Sequence, residues 1–63
     1  MAVIKFGTVL IFHNYPNDER MVVMGLDKEF IKVYNLNSER TELLELSYLK
    51  PYIENKELEI VNY

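Results

Sequence analysis

Cysteine is absent from this 63-residue chain, and so is tryptophan. The lack of cysteine excludes disulfide bridges, thiolate metal sites and a cysteine nucleophile together, and it is typical of proteins of the reducing cytosol. With a single histidine, the chain also lacks the set of nitrogen and sulfur ligands that a zinc site needs. We therefore predict a cytoplasmic protein that has no metal and no other cofactor.

Glycine and long apolar runs are also scarce. The two glycines, Gly7 and Gly25, lie far apart in the sequence, so no glycine-rich phosphate-binding loop is expected. No apolar run approaches the roughly 20 residues of a membrane-spanning helix, and residues 1–5 lack the pattern of a signal peptide. These absences favour a soluble protein without a membrane partner.

Charge of one sign is not concentrated anywhere along the chain. Ten acidic and seven basic side chains give a net charge of −3, and they are spread over the whole length. Proteins that bind nucleic acid usually carry a basic stripe that contacts the phosphates. Nucleic acid is therefore a possible partner but not a favoured one.

Apolar residues make up 49% of the sequence, which is enough for one core, while the chain is too short for a second. We predict that residues 1–63 form a single domain. Five segments have the β-branched composition or the alternation of strands. They are residues 3–12, 21–24, 30–36, 41–46 and 58–61.

The fourth of these segments is ambiguous. Its glutamates and leucines also favour a helix, and Ser38 could cap one, so the alternative is an α+β fold with a helix at about residues 39–49. We prefer a strand because Leu44, Leu46 and Tyr48 alternate with polar residues.

The connections are predicted from turn-forming residues. Residues 13–19 form the longest polar loop, and residues 47–52 form a short turn in which Pro51 prevents a helix from continuing. Gly7 predicts a bulge or bend within the first strand. His13, the only histidine, is expected to be a loop residue at the surface.

Both faces of the first strand are apolar. Leu10 and Phe12 lie on one face, whereas Val9 and Ile11 lie on the other. We expect the second face to be covered by the core, by a neighbouring segment or by a partner, and a homodimer is one such arrangement.

The order of strand, long loop, two hairpins, a Leu-Ser-Tyr-Leu-Lys-Pro turn and a last strand resembles the SH3-like barrel superfamily over nearly the whole chain. The resemblance implies an all-β, five-stranded SH3-like barrel. In peptide-binding SH3 domains, proline-rich ligands lie on aromatic side chains of the long loop and of the 3₁₀ turn. The resemblance therefore implies that Tyr15 and Pro16, together with Pro51 and Tyr52, contact a partner.

A second resemblance concerns two short motifs. The segments Gly-Thr-Val at residues 7–9 and Arg-Met-Val-Val at residues 20–23 are similar to strands of the PemK/MazF ribonuclease toxins. In that family an arginine and a threonine cleave RNA, which would assign this role to Arg20 and, by position, to Ser38. A ribonuclease, or a small barrel that binds RNA or DNA, is therefore an alternative to a non-catalytic protein.

Tyrosine is the enriched residue that could mediate binding. Five tyrosines and three phenylalanines exceed what a core of this size needs, and tyrosine offers a large, stiff contact surface with a polar tip. We predict a non-catalytic protein-interaction module, similar to small phage or mobile-element proteins that inhibit or modulate a host enzyme. The predicted protein-binding residues are Tyr15, Pro16, Arg20, Tyr34, Tyr48, Pro51 and Tyr52.

Overall fold

The computed structural model of this chain describes residues 3–13 and 16–62. In these ranges the strands form one five-stranded antiparallel sheet in the order β4-β3-β2-β1-β5. One helix connects β4 to β5. The elements are β1 (Val9–Phe12), β2 (Glu19–Leu26), β3 (Phe30–Asn35), β4 (Arg40–Glu45), α1 (Leu46–Glu54) and β5 (Leu58–Val61).

The predicted predominance of β-structure is confirmed, and the predicted bounds of the last strand are correct. Residues 40–45 form β4, so the preferred strand is confirmed there and the alternative helix at about 39–49 is wrong over these residues. Leu46, the last residue of the predicted strand, begins α1 instead, so a helix does occupy residues 46–49 of that alternative. The first strand begins only at Val9, because Gly7 lies in a turn with a φ of 89°. That backbone conformation is readily adopted by glycine alone. The chain does turn at Gly7, but the turn precedes β1 instead of lying within the strand as predicted.

The predicted barrel is not closed. Among the described residues, each strand is paired only with its neighbours in the sheet order, so β4 and β5 form two separate edges. The nine-residue helix α1 lies between these two strands in sequence and packs against both of them. A helix therefore occupies the position where a barrel would bring its edge strands together.

The short turn that was predicted for residues 47–52 is also wrong, because α1 continues through Pro51. The missing N–H of Pro51 removes one helical hydrogen bond, to the carbonyl of Ser47. Two contacts favour the helix despite this loss. Leu49 is only 1% exposed in the core, and the N–H of Leu46 donates to the carbonyl of Glu29 at 2.9 Å.

The core lies on one side of the sheet, which we call the inner face, and α1 covers it. Alternate residues of the strands point to this face, as the twofold period of a strand requires. Its buried apolar side chains are Leu10, Phe12, Met21, Val23, Ile31, Val33, Leu49 and Leu58. The opposite side, which carries Val9 and Ile11, is the outer face.

Candidate binding site

Two tyrosines of α1 form a pair at the surface of the domain. Tyr48 and Tyr52 are four residues apart, so their side chains lie on the same side of the helix. Their ring centroids are 5.2 Å apart, and their hydroxyl oxygens are 2.9 Å apart. The rings of Tyr52 and Phe12 pack in a T-shaped arrangement with their centroids 5.6 Å apart. This contact fixes the pair against the core, while Tyr48 remains 54% exposed.

A groove of about 180 Å³ lies between this tyrosine pair and the inner face of the sheet. We call it the tyrosine groove. Phe12 and Met21 are its buried apolar residues, and Leu44 adds a half-buried one. Glu19 and Glu42 add two half-buried carboxylates. The groove therefore combines aromatic, apolar and anionic groups in a small volume.

A second depression of about 360 Å³ is also lined by Tyr48 and Tyr52. Its lining includes Pro51, an exposed residue of α1, and Glu57, which lies just before β5. The tyrosine pair thus lines both depressions, and each of them also includes at least one glutamate.

One of the groove carboxylates is positioned by a buried amide. The Nδ2 of Asn35 donates to the Oε2 of Glu42 at 3.0 Å, and Asn35 is only 4% exposed. The Oδ1 of Asn35 accepts hydrogen bonds from the backbone N–H groups of Asn37 at 2.8 Å and Ser38 at 3.1 Å. Because these bonds fix the amide, the orientation of the Glu42 carboxylate is fixed as well.

The described lining of the tyrosine groove contains no lysine or arginine. In the parts of the chain that the structure describes, the ion pairs are those of His13 with Asp18 and Glu59. The carboxylates of Glu19 and Glu42 therefore have no cationic partner within these parts, and the groove has an anionic character.

The hydroxyl of Tyr52 is held in its protonated form. The hydrogen bond with Tyr48 raises the pKa of Tyr52 above 10.0, and the charge of Tyr48, partial desolvation and the charge of Glu57 raise it further. The contact with Tyr48 therefore favours the protonated hydroxyl of Tyr52, which can donate a hydrogen bond.

The structure brings together Tyr48, Pro51 and Tyr52, which are three of the predicted binding residues. Arg20 and Tyr34 lie on the outer face, where Arg20 is opposite Ile11 and Tyr34 is opposite Val22. Pro16 is exposed in the loop before β2. Tyr15 lies outside the described residues.

Sequence reasoning missed Glu19, Glu42 and Asn35 as site residues. Strand alternation offered a signal for two of them. Asn35 continues the inward series of Ile31 and Val33, and Glu42 is two residues from Leu44 on the same face. A polar residue at an inward position indicates either a hydrogen-bonded pair or a binding site. Asn35 and Glu42 form such a hydrogen-bonded pair.

His13 is placed between two carboxylates. Its Nδ1 is 3.3 Å from Asp18, and its Nε2 is 3.2 Å from Glu59. Each ring nitrogen therefore has a carboxylate oxygen within hydrogen-bonding distance. The arrangement links the long loop to β5.

The two residues that the ribonuclease resemblance implies lie at one end of the sheet. The backbone carbonyl of Arg20 accepts a hydrogen bond from the N–H of Leu36 at 2.9 Å. The backbone N–H of Arg20 donates to the side-chain Oδ1 of Asn37 at 3.1 Å. Ser38 follows directly in the same turn. Their proximity results from ordinary hairpin pairing of β2 with β3.

No helix within the described ranges is both long and apolar enough to cross a membrane. No protein-family model, curated protein or solved structure matches this chain.

Proposed function

We propose that this chain is a non-catalytic protein-binding module, and that its tyrosine groove holds a lysine or arginine side chain of the partner. The observation that carries the proposal is the composition of the groove. It combines a fixed tyrosine pair with the carboxylates of Glu19 and Glu42, and no lysine or arginine is among the described residues that line it.

Each part of a basic side chain has a counterpart in the groove. The aliphatic stem of a lysine or arginine packs on apolar surface such as Phe12 and Leu44. The charged head can bind a carboxylate through charge-assisted hydrogen bonds, and it is attracted to the face of a tyrosine ring. Glu42 is well suited to this role because Asn35 already fixes its orientation, so little entropy is lost on binding.

The neighbouring depression extends the proposed binding surface. Tyr48, Pro51 and Tyr52 line it together with Glu57, so an extended peptide could cross the tyrosine pair from one depression to the other. Aromatic and proline surfaces of this kind suit extended, proline-containing peptides. We propose further that the fold is an opened relative of the SH3-like barrels.

Nucleic acid fits the same surface less well, because the carboxylates of Glu19, Glu42 and Glu57 would repel phosphate groups. A protein partner is therefore favoured. Inhibition or modulation of that partner, as in small phage proteins, is the role we propose for this module.

Selection from a library of displayed random peptides tests this proposal. We expect the peptides that bind the immobilised protein to be enriched in lysine and arginine. The selected peptides should bind the Glu42→Gln and Tyr48→Ala variants about tenfold more weakly, since each variant loses one charge-assisted or aromatic contact.

Tyr34→Ala is the matched control for the tyrosine change, because Tyr34 lies on the outer face and its loss should leave peptide binding unchanged. The proposal is wrong if no peptide is enriched, if enriched peptides lack basic residues, or if they bind Tyr48→Ala as tightly as the native chain.

A further inference from the structure

The outer face of the sheet has an apolar row at its centre. In the strand register, Val9 of β1 lies between Val22 of β2 and Val61 of β5. All three valines are half-buried. The helix α1 contributes Leu49 to the core on the opposite side, so it does not cover this row, and the three valines keep part of their surface exposed.

The next row on the same face is arranged differently. Ile11 of β1 lies between Arg20 of β2 and Glu59 of β5. Both charged residues are exposed, and they have opposite signs on opposite sides of the isoleucine. The Nε2 of His13 lies 3.2 Å from the Glu59 carboxylate and helps to hold it in place.

These two rows are complementary to a copy of themselves. A twofold axis parallel to β1, above Val9 and Ile11, would place each of these residues over its own equivalent. The same rotation exchanges the two sides of β1, so it would place Val22 over Val61 of the second copy. It would also place Arg20 over Glu59.

We propose that the outer face is the interface of a homodimer, in which two sheets pack with Val9 and Ile11 at the centre. An isologous interface requires a patch that is complementary to itself, and the opposite charges on either side of Ile11 satisfy this condition. Two sheets that pack face to face keep their strands nearly aligned, about 10 Å apart, which is compatible with an axis along β1.

The order of the charges favours a second copy over an unrelated partner. An anionic or a cationic partner would fit one side of Ile11 and be repelled by the other. A second copy related by the twofold axis meets an opposite charge on both sides. This interface is independent of the tyrosine groove, which opens on the inner face, so either proposal can fail without the other.

Sedimentation equilibrium of the full chain tests the proposal. We expect the native chain to form a dimer whose dissociation constant lies in the micromolar range. Arg20→Glu and Glu59→Arg, each alone, place like charges against each other at two symmetry-related positions, and the dissociation constant should rise by about tenfold or more.

Mixing these two variants provides the decisive measurement. One chain then carries glutamates at both positions and the other carries arginines, so we expect a heterodimer with an affinity close to that of the native dimer. Glu54→Arg is the control, because it reverses a charge on α1, away from the outer face, and should leave the dissociation constant unchanged.

A native chain that stays monomeric at millimolar concentration overturns the proposal. So does a dimer that persists in both single variants, or a mixture of the variants that remains monomeric while circular dichroism shows that each variant is folded.

Discussion

Asn35 connects the stability of the fold to the geometry of the candidate site. Its buried amide accepts from two backbone N–H groups of the β3–β4 turn and donates to Glu42. Short polar side chains at the end of a strand commonly stabilise a turn in this way. The same residue therefore closes a hairpin and orients the carboxylate to which we assign ligand binding.

We expect Asn35→Ala to lower the free energy of unfolding by about 2 kcal/mol, because three hydrogen bonds to a buried group are lost. Urea denaturation followed by circular dichroism measures this change. Asn37→Ala is the matched control, since Asn37 is exposed and its loss should have a smaller effect. Equal effects of the two changes would contradict the role assigned to Asn35.

Because of the tyrosine pair, we expect the stability of the fold to depend on pH in the alkaline range. The fold raises the pKa of Tyr52, chiefly through the hydrogen bond with Tyr48, so the folded chain holds this proton more tightly than the unfolded chain does. The resulting stabilisation is present below the ordinary pKa of 10.0. It is lost as the pH rises through the higher value of the folded state.

We expect Tyr48→Phe to move the pKa of Tyr52 back towards its ordinary value, because the main cause of the shift is removed. The pH dependence of the Tyr52 ring signals in NMR spectra measures this. Tyr34→Phe should leave the titration of Tyr52 unchanged. A Tyr52 titration that is the same in the native chain and in Tyr48→Phe would show that the hydroxyl contact does not form.

At the scale of elements, Leu49 is the fully buried side chain of α1. Leu49 is 1% exposed, whereas Ile53, one turn later, is 41% exposed. Truncation of a buried leucine removes apolar contacts and leaves a cavity. The attachment of the helix, and with it the position of the tyrosine pair, should therefore depend on Leu49.

We expect Leu49→Ala to lower the free energy of unfolding by about 3 kcal/mol, and Ile53→Ala, as its matched control, to lower it by less than about 1 kcal/mol. Urea denaturation measures both. If the two substitutions lower the free energy of unfolding equally, Leu49 does not anchor α1.

The strands could be predicted from sequence because their signals are local. Alternation in β3 and β5 and turn residues around Gly7 identify these elements without knowledge of the rest of the fold. The helix could not be predicted in this way. Pro51 disfavours a helix, and this local effect can be read from the sequence. The burial of Leu49 and the hydrogen bond from Leu46 to Glu29 favour the helix, but both depend on the completed sheet.

At the scale of the whole molecule, the difference between a barrel and an open sheet has the same origin. Each strand pattern is compatible with either arrangement, and the choice depends on whether β4 and β5 pair or are separated by α1. The tyrosine groove results from that choice, because it lies between the helix and the inner face. Tyr48 and Tyr52 could be predicted as binding residues from their type, but Glu19 and Glu42 join them only through the fold.

We propose separate roles for the two faces of the sheet. The inner face provides the tyrosine groove, and the outer face provides the proposed dimer interface. A dimer formed through the outer faces would leave both grooves open on opposite sides. It could then bind two copies of a partner segment, which increases the apparent affinity for a repeated or oligomeric target.

The most direct test of the central claim is an NMR titration of the isotopically labelled chain with capped arginine, and with capped norleucine as the uncharged control. We expect arginine to shift the amide signals of residues around Phe12, Glu42 and Tyr52 and norleucine to have little effect. Glu42→Gln should remove most of the response. Shifts that are absent, that are equal for both compounds, or that lie outside the tyrosine groove would contradict the claim that this groove binds a basic side chain.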